Sequence, residues 1–274
     1  MKKIRMIGFD LDGTLLSTKK KISDYTKRVL EEAHKKEIEI LPVTGRPFTA
    51  LPEDIKKLSY VRYAVTSNGA RIVEMPSGKP VYEKLLPIEK ARKILDILKE
   101  YDTLREIYYD GRGYNERCKR EQIERYASSP ESAEYTLTTR FEIESIEEKI
   151  EEEKRDMDKV QGLFIHPQEK EAAWEQLLEL DGIQVTGALA NNIEVNAENV
   201  HKGNAILWLG KRLGIDPEEM LMFGDGANDI QMLQTAGIGA AVENAVPAVK
   251  EAADVIVGSN DEDGVAEYIE TYIL

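Results

Sequence analysis

Short apolar runs alternate with amphipathic stretches at both ends of this chain. Ile4, Met6, Ile7 and Phe9 form a first run, 38–43 a second and 63–66 a third. Between the first two, Val29, Leu30 and Ala33 recur on one stripe, which predicts a helix over 23–36, and another helix is predicted to run through Leu58. The alternation resumes near Asn192, with strands predicted at 193–196, 220–223 and 238–242 and helices at 204–213, 229–235 and 247–252. Strands that alternate with helices imply a parallel sheet with right-handed crossovers. The expected fold class is therefore α/β, a Rossmann-like doubly wound parallel-sheet core that places ligands at the carboxyl ends of its strands.

The middle of the chain has another texture. It is rich in charge, carries strand-like runs at 105–109 and 160–165, and holds an acidic helix over 145–156 opened by the capping box Ser145-x-x-Glu148. We read 81–189 as an inserted α+β domain, which leaves 1–80 and 190–274 as a discontinuous core. Glu151, Glu152 and Glu153 read as a solvated helix face. The turn Met75-Pro76-Ser77-Gly78-Lys79-Pro80 is expected to close a hairpin near the junction.

The candidate chemistry sits at the ends of the core runs. Asp10-Leu11-Asp12-Gly13-Thr14 delivers two carboxylates to the tip of the first run. In an extended chain residues i and i+2 share a face, so both can point into one crevice if that geometry persists, while Gly13 allows a sharp turn. A second acidic loop, Gly224-Asp225-Gly226-Ala227-Asn228-Asp229, follows the run 220–223. A plain strand-to-helix loop, with Asp229 as a cap, accounts for one such segment. It does not account for two, together with a lone Lys202 and a Thr44-Gly45-Arg46 turn after the second run. Carboxylates gathered this way suggest a cation.

Composition narrows the partners. The 274 residues suffice for one large or two modest domains. A formal charge of −14 opposes a nucleic-acid or anionic-membrane partner, and leaves a phosphorylated substrate dependent on local cations such as Lys202, Arg46 and a bound metal. The lone Cys118 excludes an internal disulfide and argues against a cysteine-based metal site. No run of about 18 apolar residues is present, and Asp10 and Asp12 interrupt any secretory h-region, so the expected location is cytoplasmic.

In order and composition the four segments resemble the haloacid dehalogenase superfamily of phosphoryl-transfer enzymes, and within it the Cof-type hydrolases. The first motif is Asp10 to Leu15, the second Thr44-Gly45-Arg46, the third Lys202-Gly203 and the fourth Gly224 to Asp229. The Asn68-Gly69 turn and a tail bearing Asn244-Ala245 and Glu262-Asp263-Gly264 are similar to that subfamily as well. The resemblance covers both ends of the chain well and the middle poorly, and it implies that the inserted domain is a C2-type cap that governs substrate specificity.

Phosphate-monoester hydrolysis needs a nucleophile, a proton donor for the leaving oxygen and charge neutralisation. The resemblance assigns Asp10 as nucleophile, giving an aspartyl phosphate, and Asp12 as general acid and then base. It implies a magnesium site made by the carboxylates of Asp10 and Asp225 and the main-chain carbonyl of Asp12, with Asp229 in support, an all-oxygen shell that suits Mg2+. Thr44, the Gly45 and Leu11 amides, Lys202 and Asn228 would bind phosphate. Arg46 would join them or form a structural ion pair. A metal close by opposes protonation of Asp12, so its side chain is expected to turn away from the cation. His34, His166 and His201 have no task in this scheme, and Trp174 and Trp208 read as core residues. Tyr108, Tyr109 and Tyr114 flank a turn that is a candidate substrate-facing edge.

The function expected is a magnesium-dependent phosphatase acting on a small phosphorylated metabolite, a sugar phosphate or similar monoester. A phosphosugar mutase and a noncatalytic phosphometabolite-binding protein are the alternatives. The intact Asp10 and Asp12 weigh against the last.

Overall fold

The computed structural model describes residues 3–187 and 190–274, which divide into two compact units. The first comprises Met1–Arg46, Leu51–Glu83 and His201–Leu274, and the second Pro47–Ala50 and Lys84–Val200. The expected cap limits of 81 and 189 thus shift to Lys84 and Val200, and Leu189 itself lies outside the described residues.

In the first unit a five-stranded parallel sheet runs in the spatial order Val255–Val257, Ile238–Val242, Met220–Gly224, Met6–Phe9, Glu39–Pro42. Strand Met6–Phe9 and its neighbours Met220–Gly224 and Glu39–Pro42 are buried along their whole length, so no polar alternation appears in them. The register pairs Phe9 with Phe223 on one side and with Pro42 on the other. All three strands therefore end level, and the loops that follow them open at the same edge of the sheet.

Helix Asp24–Lys35 forms where the apolar stripe predicts it. Ser23 caps it by accepting from the Thr26 N–H at 3.0 Å, and Val29, Leu30 and Ala33 are buried. Strand Tyr63–Thr66 departs from expectation. It meets the parallel sheet through a bridge between Val43 and Val65, and its main pairing is antiparallel with Arg71–Glu74. That strand pairs in turn with Lys79–Glu83 across the expected hairpin. The helix predicted through Leu58 is broken into a 3-10 turn, Phe48–Ala50, and one helical turn, Glu53–Lys56. Pro47 and Pro52 cause the interruption, since a proline restrains the residue before it away from the helical region.

The second unit holds a six-stranded sheet in the order Ile183–Thr186, Asn192–Ala197, Lys159–Phe164, Thr103–Tyr109, Arg112–Glu116, Arg140–Ile143. Its pairings are antiparallel except the last, which is parallel. The strand expected at 193–196 in the core sheet belongs here, paired with Lys159–Phe164. Periodicity identifies a strand but not its neighbours, which explains the misplaced boundary. The acidic helix is Ile146–Glu153, and the Glu148 N–H reaches Ser145 Oγ at 3.3 Å, the N-cap half of the expected capping box.

One face of this sheet carries a buried polar row. Glu106 stands opposite Gln161 on one side and Asn115 on the other, and Gln161 stands opposite Glu194. Arg140 Nε donates to Glu106 at 3.0 Å, and Lys159 Nζ donates to Glu194 at 2.6 Å. Tyr108 donates its hydroxyl to Glu106, and burial, with the carboxylate beside it, raises that hydroxyl well above the usual tyrosine range. Tyr108 and Tyr109 are thus interior residues rather than an exposed substrate-facing edge. Tyr114, half-buried, packs against Phe141 with ring centroids 5.7 Å apart. Among the described residues no helix is long and apolar enough to cross a membrane.

Candidate active site

Every residue expected in the site lies in the first unit. The strand geometry stops at Phe9, and the chain then folds into a tight turn in which Leu15 N–H donates to Asp10 O at 3.2 Å and Leu16 N–H to Leu11 O at 2.8 Å. The extended i, i+2 alignment of Asp10 and Asp12 does not persist. The turn sends the two carboxylates to different partners, which is its main consequence for the chemistry.

Asp10 joins a cluster. Carboxylate oxygens of Asp10, Asp225 and Asp229 lie within 4.8 Å of one another. Lys202 Nζ donates to Asp10 Oδ1 and to Asp229 Oδ1, both at 2.6 Å. Lys202 is the first residue of helix Lys202–Leu213 and is completely buried, with His201 capping the helix by accepting from Asn204 N–H at 3.3 Å. A lysine at a helix N-terminus meets an unfavourable dipole. Here the two carboxylates supply the compensation. They outweigh the burial that disfavours its charge and hold the ammonium above the usual lysine range.

Three carboxylates face this single ammonium. Burial, reinforced by repulsion from Asp229, Asp225 and Asp12, raises Asp10 well above the usual carboxylate range in spite of Lys202. Burial and the neighbouring Asp229 push Asp225 up to about 6. The second oxygen of Asp229 accepts from the N–H groups of Asp225 and Gly226, both at 3.0 Å, so Asp229 shapes the loop as well as pairing with Lys202. Thr14 donates its hydroxyl to Asp225 Oδ1 at 2.7 Å. Between them Gly13 adopts φ +85°, where a Cβ would stand 3.0 Å from Asp225 Cγ and closer still to its Oδ2. Only glycine lets the two acidic loops approach this closely.

Asp12 stands outside the cluster. Arg46 grips it in a fork, Nε to Oδ2 at 2.6 Å and Nη2 to Oδ1 at 2.7 Å, and Lys20 Nζ adds a contact to Oδ1 at 2.8 Å. Burial alone would raise the Asp12 carboxyl, but the hydrogen bonds and charge of Arg46, with Lys20, prevail and hold it below the usual range. Arg46 is thus an ion-pair partner of Asp12 rather than an open anion site.

The second-motif loop is tied into the core. Thr44 N–H donates to Val65 O at 2.9 Å, Thr44 Oγ1 accepts from Arg46 N–H at 3.1 Å, and Thr44 O accepts from Asn68 N–H at 3.1 Å. Asn68 in turn accepts from Asn228 Nδ2 at 3.2 Å, which joins this loop to the Gly224-to-Asp229 loop. Leu11 is fully buried, and Thr44 and Asn228 nearly so. Gly45 lies between Thr44 and Arg46 on the same loop. Sequence reasoning left Thr14, Lys20 and Asn68 out of the site. Thr14 and Asn68 stood inside quoted motifs, whereas no local pattern marked Lys20.

Comparison with known proteins identifies the family. The model of the haloacid dehalogenase-like hydrolase family matches residues 7–269. "Phosphatase YwpJ" of Bacillus subtilis is 28% identical over 279 residues, covering 96% of this chain and 98% of that protein. The B. subtilis "5-amino-6-(5-phospho-D-ribitylamino)uracil phosphatase YcsE" is also 28% identical, with 99% and 96% covered. The solved structure of a haloacid dehalogenase-like hydrolase from B. subtilis superposes with a TM-score of 0.89 at 27% identity, covering 98% of this chain and all of that one. With two acidic loops joined through Lys202 at one sheet edge and a family match spanning nearly its whole length, this chain belongs to the haloacid dehalogenase-like hydrolase family and is a phosphatase of that family.

Proposed function

We propose that this enzyme is a cytoplasmic, magnesium-dependent phosphatase that hydrolyses a small phosphorylated metabolite, a sugar phosphate or similar monoester, through an aspartyl phosphate on Asp10. The observation that carries the reading is the Lys202 bridge between Asp10 and Asp229 inside a three-carboxylate cluster. Burial, with the surplus of negative charge beside it, drives Asp10 and Asp225 up, and a divalent cation would relieve that surplus. The donors are all oxygen, which fits Mg2+. Asp10, Asp225 and the main-chain carbonyl of Asp12 would hold it, with Asp229, whose oxygens are already engaged, in support. When bound, the ion would neutralise charge on the transferred phosphoryl group.

The chain's own groups divide the remaining work. Asp10 attacks phosphorus, with Lys202 holding its carboxylate and screening the incoming phosphate. The Thr44 hydroxyl, the Gly45 and Leu11 amides and Asn228 donate to phosphate oxygens. Asp12 protonates the leaving alkoxide and then takes a proton from the water that hydrolyses the aspartyl phosphate, a contribution of about 10²- to 10⁴-fold for this kind of group. Because Arg46 and Lys20 occupy both of its oxygens and favour its ionised form, Asp12 must release one of these contacts and take up a proton before it can act as the acid.

The test is release of inorganic phosphate across a panel of phosphorylated metabolites, phosphorylated ribityl compounds included, with Mg2+ or chelator, for the wild type and Asp10→Asn. Release that requires both Mg2+ and Asp10 supports the reading. Isomer formation without phosphate release would instead establish a mutase, and binding without turnover a noncatalytic role.

A further inference from the structure

Strand Tyr63–Thr66 runs into three successive residues with left-handed backbone, Ser67, Asn68 and Gly69, at φ +51°, +60° and +104°. Only the last is a glycine, and the first two are buried, so their surroundings must hold them in a conformation that L-residues seldom adopt. Contacts to the neighbouring loops do so. Ser67 N–H donates to Arg46 O at 3.0 Å and Asn68 N–H to Thr44 O at 3.1 Å, both on the second-motif loop. Gly69 lies against the residue before Lys202, where a Cβ would stand 2.8 Å from His201 O. The Asn68 side chain makes the remaining link, Oδ1 accepting from Asn228 Nδ2 at 3.2 Å on the fourth-motif loop. Segment 67–69 therefore touches the loops that carry Thr44, Lys202 and Asn228, although the proposed chemistry gives its own groups no task.

A glycine would meet the backbone requirement at position 68 with less strain, so the backbone alone does not account for an asparagine there. We propose that Asn68 is a positioning residue for phosphate binding, fixing the Asn228 carboxamide so that Nδ2 rather than the carbonyl oxygen meets the phosphate. The inference rests on the assignment of Asn228 as a phosphate donor. An asparagine carboxamide turns broadly about its last torsion, and its two ends have opposite polarity. Asn68 Oδ1 is an acceptor, so it selects the end that donates. One N–H of Asn228 is committed to Asn68, and the other is left for a phosphate oxygen. Both side chains are nearly buried, where water competes little for the bond. With Asn68 removed, the Asn228 amide can present either end, and its carbonyl repels the phosphate.

The experiment is calorimetric titration of the Mg2+-loaded protein with inorganic phosphate, alongside titration of the metal-free protein with Mg2+, for the wild type, Asn68→Gly, Asn228→Ala and the double variant. Asn68→Gly accommodates the left-handed backbone, so the fold is kept while the side chain is lost. It is expected to weaken phosphate binding about 5- to 10-fold, the equivalent of one hydrogen bond, and to change the Mg2+ dissociation constant less than about 2-fold. Since Asn68 acts through Asn228, adding Asn68→Gly to Asn228→Ala should weaken phosphate binding by less than about 2-fold further. Unchanged phosphate binding in Asn68→Gly, losses that multiply in the double variant, or an equal loss of Mg2+ affinity, the mark of a site loosened as a whole, would overturn the proposal. Asn228→Ala separates the two levels. If it leaves phosphate binding intact, the assignment of Asn228 as phosphate donor fails and the inference with it, whereas a loss in Asn228→Ala without one in Asn68→Gly overturns the inference alone.

Discussion

The Asp10 carboxylate and the Lys202 ammonium, 192 residues apart in sequence, meet at 2.6 Å in the interior of the first unit. Removing the ammonium leaves Asp10 and Asp229 buried without their cation, a situation that costs about 3 kcal/mol or more. Lys202→Met should therefore lower stability by about that amount in chelator, read by urea titration, and lower kcat by about 10²-fold or more. A variant as stable and as active as the wild type would remove Lys202 from the proposed site.

Asp225 gives a pH signature. Its folded pKa of about 6 lies above the ordinary 3.8, so the folded state binds the extra proton and Asp225 favours folding below about pH 4. That contribution is lost as pH rises through about 6. Relative to Asp225→Asn, the metal-free wild type should lose on the order of 2 kcal/mol between pH 4 and pH 7, measured by urea melts across that window. Mg2+ binds the ionised form, so its stabilising effect should be larger at pH 7.5 than at pH 5, which thermal melts with and without Mg2+ would show.

Gly13 is a packing constraint on the same carboxylate. Gly13→Ala meets both a positive φ and the Asp225 side chain, and is expected to cost about 1–3 kcal/mol. Because Asp225 must shift, the apparent affinity for Mg2+ should fall as well. Unchanged Mg2+ titration of phosphate release in a folded Gly13→Ala protein would show that the two loops do not depend on this contact.

In the second unit the pair Glu106 and Arg140 is inaccessible to water apart from a few per cent of the arginine side chain. Glu106→Ala removes the buried carboxylate shared by that arginine, Asn115 and the Tyr108 hydroxyl, and should destabilise the protein by about 3–5 kcal/mol. Glu106→Ala with Arg140→Met removes both charges and should recover part of the loss. A double variant as unstable as the single one would mean that the charges are not the source.

Local patterns along the chain determined a good deal. The helix Asp24–Lys35, the hairpin after Glu74, the capped helix Ile146–Glu153 and the acidic loops after Phe9 and Phe223 all follow from periods of two or of three to four residues and from cap and turn chemistry. Which strands lie side by side was decided only in the tertiary structure. The pairing of Phe9 with Phe223 brings the two acidic loops to one edge, and the pairing of Val195 with Val160 moves a strand expected in the core into the second unit. Asp10 and Asp12, two residues apart, share no partner because the turn after Phe9 directs one to Lys202 and the other to Arg46 and Lys20. The physical reason is range. A strand or a helix records interactions between residues a few positions apart, whereas sheet order, buried ion pairs and the pKa shifts they impose depend on contacts between segments tens to hundreds of residues apart, which no local pattern encodes.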